Sequence, residues 1–411
     1  MAANYERQND QLRGIRYQKA QIERIVEGID FRDNCIITGG MDLIFENGAK
    51  IANRKILLEY VIKRLIMENN RPIIVFYKSP YLIRQILSWY RAMKIQRECS
   101  VISERVEING IIQDSRCLAP FLGMEKEEII YTVKMMSVCM HLSFDQYSEM
   151  FLEYLLNVIE HAGYEITFEN MMLLASMSDD ELVRVAVAEG LKVESKFFAK
   201  SNNGSEAVKR VLKEMNHYFQ AYYQPQFAKK INICSEARRN NVVFIDVGDQ
   251  YQTEMLEYFC NELKCCSRKC PYIVFDDILL KNNSSLQDYL LQSMELRFCI
   301  SAIDVSVILG KDDLDDFVSK TQTKFLLHYD NANAAEKITT SLGYYYHLKV
   351  SEEESASRET FKLLNQNVSK GMSVTDEKRL IIEGTDVVHL SEAQLYLIDS
   401  NSGNFFIDGL L

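Results

Sequence analysis

The sequence predicts an α/β fold, a parallel sheet flanked by helices and interrupted by an inserted all-helical domain. Three observations carry this. Short, wholly apolar runs such as Ile73 to Phe76 and Val242 to Ile245 have the pattern of strands buried on both faces. They alternate with amphipathic stretches, the order that gives parallel pairing through crossover helices. From 118 to 222 the pattern is almost wholly helical, and the strand-type runs return only after it.

Taken in order, residues 1–30 are a polar helix and its exit. Asn34-Cys35-Ile36-Ile37-Thr38-Gly39-Gly40 is a strand feeding a glycine turn. A helix over about 52–69 follows, with Ile56, Leu57, Tyr60, Val61 and Leu65 on one face. A strand at 71–77 and a helix at 80–97 come next. Within the helical insertion, Ser178-Asp179-Asp180-Glu181 forms a capping box. After it, strands are expected at 241–247, 272–277, 300–309 and 324–328, and a hairpin joins Leu395–Ile398 to Phe405–Ile407 through Asn401-Ser402-Gly403-Asn404. Glu352-Glu353-Glu354 is expected in a surface loop, and the acids at 312–316 at a solvated helix start. The expected division is 1–117, 118–222 and 223–411, the outer two forming one domain.

Composition narrows the class. Of 411 residues, 47% are apolar and 26% charged, enough for a large core, and the net charge of −11 argues against a surface that coats nucleic acid. No apolar run is long enough to span a membrane, and the N-terminus has no signal pattern, so a cytoplasmic protein is expected. The ten cysteines are expected as thiols, because Cys260, Cys265, Cys266 and Cys270 lack zinc-site spacing.

Two segments carry chemistry. Tyr272-Ile273-Val274-Phe275-Asp276-Asp277 puts two carboxylates at the carboxyl end of a buried strand, the sheet edge where ligands bind in open α/β folds. In phosphoryl-transfer enzymes the first acid there, Asp276, holds Mg²⁺, and Asp277 stands where the water-polarising acid does. Gly39 and Gly40, then Gly48 and Lys50, bracket the place of a phosphate-binding loop, in which backbone amides and a lysine cradle phosphates. The spacing is too long, Asp42 and Glu46 lie inside it, and Ile51 stands where a metal-ligating hydroxyl belongs. These pieces point to a P-loop NTPase (RecA-like) sheet with a degenerate loop, in which ATP and Mg²⁺ are the expected ligands.

In order, the segments resemble the motor domain of type IV secretion coupling proteins, the TraG/TraD kind, within the FtsK/HerA superfamily. The resemblance spans about 30–411. It rests most on Ile233 to Asp246, Tyr272 to Asp277, Arg297-Phe298-Cys299-Ile300, Thr323 to Leu327, Ala334 to Ile338 and Leu342-Gly343. It implies an ATP-driven, ring-forming machine, a homo- or hetero-hexamer, that handles DNA through a channel or passes a DNA–protein substrate to a conjugation or secretion channel. It makes Arg297 the candidate for a subunit-to-subunit arginine. The abnormal loop, Asp in place of Glu at 277 and the lack of a polar sensor glutamine in 300–309 depart from the pattern. The expected function is therefore a motor-fold protein with weakened or lost hydrolysis, serving as adaptor or regulatory subunit. An active divergent ATPase and an unrelated α/β protein-interaction subunit are the alternatives.

Overall fold

The computed structural model describes residues 33–44, 50–68, 71–78, 80–103, 116–190, 195–222, 229–248, 252–265, 270–310, 313–356, 368–391, 394–399 and 404–409. The helix expected over 1–30 lies outside them. In chain order the first half contains β1 (Cys35–Thr38), β2 (Asp42–Ile44), β3 (Lys50–Ala52), α1 (Asn53–Glu68), β4 (Ile73–Tyr77), α2 (Pro80–Ala92) and β5 (Cys99–Ile102). Strand β6 (Arg116–Leu118) opens the helical part, with α3 (Lys126–Cys139), α4 (Gln146–His161), α5 (Phe168–Ala175), α6 (Asp179–Ala188) and α7 (Ser195–Gln220), and β7 (Lys229–Ile231) closes it. The chain returns through α8 (Ile233–Arg238), β8 (Val242–Asp246), α9 (Gln252–Lys264), β9 (Tyr272–Asp276), α10 (Ser284–Gln292) and β10 (Arg297–Ala302). It ends with α11 (Val305–Leu309), α12 (Leu314–Lys320), β11 (Thr323–Leu326), α13 (Ala332–Ser341), β12 (Tyr344–Ala356), β13 (Val368–Leu380), α14 (Gly384–Val388), β14 (Gln394–Asp399) and β15 (Asn404–Gly409).

Nine strands form the main sheet in the order β15-β14-β11-β1-β10-β9-β4-β8-β5. The seven from β11 to β5 are parallel, and the β14–β15 hairpin adds an antiparallel edge. Apolar side chains alternate between two cores: Ile36, Ile74 and Phe76 pack with the helical part, while Cys35, Ile37 and Val75 pack with α1 and α2. The strands are buried on both faces, which is why their sequences are unbroken apolar runs. The parallel pair β6–β7 joins the entry and exit of the helical part. Its α6 starts on the expected capping box: Ser178 Oγ accepts from the Glu181 amide, and the Glu181 carboxylate accepts from the Ser178 amide.

Three expectations need correction. The run over 300–309 is not one strand, because β10 ends at Ala302 and Asp304 caps α11, accepting from the Ser306 amide at 2.9 Å. Glu352-Glu353-Glu354 is not a loop. Its backbone pairs with Lys370 to Met372 in a thirteen-residue ladder, which the β-forming Tyr344-Tyr345-Tyr346 begins. Third, the helix expected over 80–97 stops at Ala92, and β5 follows at the sheet's far edge.

Candidate functional site

The carboxyl edge of the sheet gathers a row of polar side chains. Register places Asp246 of β8 beside Tyr77 of β4, Tyr77 beside Asp276 of β9, and Asp276 beside Ser301 of β10. Thr38 ends the neighbouring β1 and shares a short hydrogen bond with the Tyr329 hydroxyl. Asp246 is held by the Ser103 hydroxyl at 3.0 Å and the Gly248 amide at 3.2 Å.

Asp276 and Asp277 meet two cations from the first turn of α1. Arg54 donates through Nη1 to Ser301 Oγ at 2.6 Å and to Asp276 Oδ1 at 3.4 Å. Through Nη2 it reaches both Asp277 oxygens, at 3.0 and 2.8 Å. Lys55 Nζ donates to Asp276 Oδ1 and, at 2.6 Å, to Asp277 Oδ2. Arg54 is 1% and the Asp276 side chain 0% exposed, while Asp277 keeps 31% of its side chain open. Asp277 adopts φ +57°, a left-handed conformation that aspartate tolerates better than most residues, and its amide donates to the Ser301 carbonyl at 2.9 Å.

This is a charge-balanced quartet. Unit charges 4 Å apart interact by about 4 kcal/mol in a partly polar interior, so neither acid pair nor base pair could be buried alone. Burial pushes the Asp276 carboxyl above its ordinary range, against the pull of Lys55 and Arg54. Burial acts on Asp277 in the same direction, but Arg54 and Lys55 outweigh it and hold that carboxyl below its ordinary range.

The glycine turn is equally self-contained. Gly39 has φ +84°, and a Cβ there would lie 2.5 Å from the Leu327 carbonyl oxygen, so glycine is required. Its amide donates to the Ile303 carbonyl at 3.0 Å, and the Gly40 amide to that of His328 at 2.8 Å. The Met41 amide donates to the Asn53 side chain at 3.0 Å, and Asn53 returns its own amide to the Met41 carbonyl at 3.0 Å. Between Met41 and Asn53, β2 and β3 pair antiparallel, with Asp42 opposite Ala52 and Ile44 opposite Lys50.

The structure brings Asp276 and Asp277 together at the strand end, and sets Gly39 and Gly40 at the end of β1. Gly48 lies outside the described residues. Lys50 lies in β3, its backbone opposite Ile44, and the cations that meet the acids are Arg54 and Lys55, which sequence reasoning missed. Arg297 begins β10, four residues or about 13 Å of strand from Ser301. It bonds the Met294 and Leu296 carbonyls at 2.6 and 3.0 Å, with Asp33 3.7 Å away.

Among the described residues, Mg²⁺ and a nucleotide phosphate fit this arrangement poorly. Three of the four carboxylate oxygens already accept from Arg54 or Lys55, the turn's amides are spent on protein acceptors, and residues 53–58 offer no hydroxyl.

The sheet order, the glycine turn after β1 and the paired acids at the end of β9 are those of a P-loop NTPase-type α/β fold. Comparison with solved structures specifies it further. The bacterial conjugative coupling protein TrwBΔN70, in its unbound monoclinic form, superposes with a TM-score of 0.53 at 11% identity, covering 92% of this chain and 88% of that one. Its trigonal form with sulphate gives 0.52 at 11% identity over 89% and 81%. The plasmid coupling protein TrwB with ADP and Mg²⁺ gives 0.50 at 12% identity over 92% and 86%. The chain therefore has the fold of the TrwB motor, as the sequence resemblance implied. No protein-family model matches it. No curated protein matches it either. No helix among the described residues is long and apolar enough to cross a membrane, and no group of three or more metal-ligating side chains occurs among them.

Proposed function

We propose that this chain is a motor-fold subunit whose nucleotide site is closed by its own side chains, and that it serves as an adaptor or regulatory component of a DNA-handling or secretion machine. One observation carries this reading: Arg54 and Lys55 neutralise Asp276 and Asp277 from within the chain. Phosphoryl transfer is nearly all positioning and electrostatics. A site whose acids and turn amides are already engaged can keep the fold's shape while losing its turnover. The likeness to TrwB supports a place beside DNA or a DNA–protein substrate, in a homo- or hetero-hexameric ring in the cytoplasm. In this reading 118–222 is a separate helical domain on a motor domain built from 1–117 and 223–411.

A second reading has one observation in its favour. Lys55 lies in the first turn of the helix that follows β1, touching Asp276, where a phosphate-side lysine stands in this fold. On that reading the quartet is a resting state, and ATP with Mg²⁺ opens it.

Steady-state ATP hydrolysis by the purified chain, with and without single- and double-stranded DNA, separates the two. The closed-site reading expects a rate no higher than that of Asp276→Ala. Turnover that DNA stimulates and Asp276→Ala removes would establish the active motor instead.

A further inference from the structure

We propose that Lys55 is a built-in replacement for the divalent cation of this fold: the Asp276–Asp277 pair takes no divalent metal while Lys55 is present, and removing Lys55 alone creates a divalent-cation site. The inference rests on the closed-site reading and states what closes the site.

The Lys55 ammonium bridges the two carboxylates, donating to Asp276 Oδ1 and to Asp277 Oδ2 at 2.6 Å. A bridging position between two acids at a strand end is where a hard cation would sit, and a small divalent ion needs those same oxygens plus water. Arg54 closes the other side, with Nη2 on both Asp277 oxygens and Nη1 on Asp276 Oδ1 and Ser301 Oγ. Two acids and two cations sum to zero, so a divalent ion would add charge to a balanced, buried cluster.

A second observation points to a latent site. Asp276 Oδ2 is buried and accepts no hydrogen bond among the described residues. An acceptor left over in a fully buried carboxylate is costly. With Lys55 shortened, the cluster carries a net negative charge; Asp276 Oδ2 has no donor, Asp276 Oδ1 keeps only the 3.4 Å contact from Arg54, and Asp277 Oδ2 loses one of its two donors. A serine at position 55 adds the hydroxyl that residues 53–58 lack.

The test is titration of the full-length chain with Mn²⁺, following free Mn²⁺ by electron paramagnetic resonance, with thermal unfolding in Mg²⁺ alongside. The wild-type chain is expected to leave the free signal unchanged up to about 1 mM ion. Lys55→Ser is expected to take up one Mn²⁺ at least about tenfold more tightly, since an adjacent positive charge has gone. Mg²⁺ should compete for that site, Lys55→Ser/Asp276→Asn should lose it, and Mg²⁺ should raise the unfolding midpoint of Lys55→Ser but not of the wild type. Uptake of one Mn²⁺ by the wild type that Asp276→Asn abolishes would overturn the proposal. So would a folded Lys55→Ser chain with no gain. If Lys55→Ser does not fold, Lys55→Met keeps the stem's packing and takes its place. ATP binding by the wild type in EDTA would sink the closed-site reading and leave this one standing. Mn²⁺ uptake without ATP binding would do the reverse.

Discussion

Two buried acid clusters in this molecule solve the same problem in opposite ways. At the carboxyl edge of the sheet, Asp276 and Asp277 face two cations. At the junction of α8 and α9, Glu262 is also fully buried, and it accepts from neutral donors, the Tyr258 hydroxyl at 2.7 Å and the Ile233 amide at 3.3 Å. There burial dominates and pushes the Glu262 carboxyl up to about 8, so at neutral pH it is mostly protonated. Dipoles satisfy a buried carboxyl without keeping it charged, whereas full charges keep the sheet-edge acids balanced. Only the sheet-edge cluster holds charges that a phosphate or a metal could compete for.

The largest effect should come from unbalancing the charged cluster. Arg54→Ala leaves Asp276 buried with Lys55 alone and should cost about 3–5 kcal/mol in denaturant unfolding, with Arg54→Ala/Asp277→Ala losing less than the sum of the single changes. An additive double mutant would mean the four groups are not one unit.

Next in size is the pH response of Glu262. Its folded pKa lies above the ordinary glutamate value, so the folded state binds the extra proton, and this contribution is full below about pH 4.5. It is lost as pH rises towards 8, a fall of a few kcal/mol, and Glu262→Gln should flatten that slope in unfolding measured from pH 5 to 8.5. An unchanged slope would remove the contrast between the clusters.

Gly39→Ala should cost about 2–3 kcal/mol, because its Cβ would press on the Leu327 and His328 carbonyls at 2.5 and 2.7 Å from a left-handed backbone. Last, Ser178→Ala removes the α6 cap and should cost about 1 kcal/mol by the same unfolding assay, which sets the scale for a solvent-exposed helix cap.

Much of the sheet was legible because its strands are buried on both faces and write themselves as apolar runs ending in glycine or acid. Asp276-Asp277 could be placed at the ligand edge for that reason alone. The cations could not be placed by a phosphate-loop template, which sought a lysine directly after Gly48 and settled on Lys50, while the β2–β3 hairpin moves the helix start to Asn53. A signal was present nonetheless. Arg54-Lys55 puts two positive charges in the first turn of a helix with no acid there, against the helix dipole, which asks for carboxylates nearby. Glu262 gave no such sign: Tyr258 is one helical turn away on α9, but its neighbours at 232–234 come to it only through the packing of α8 on α9. The thirteen-residue β12–β13 ribbon was hidden by its acidic run, since backbone pairing leaves little mark on composition.

The central claim, that the chain's own side chains close the nucleotide site, is tested most directly by isothermal titration calorimetry of MgATP into the purified wild-type chain, with Lys55→Ala and Asp276→Ala beside it. The account predicts no measurable heat of binding to the wild type or to Asp276→Ala. Micromolar binding to the wild type that both substitutions abolish would contradict it, and the quartet would then be the resting state of a working motor.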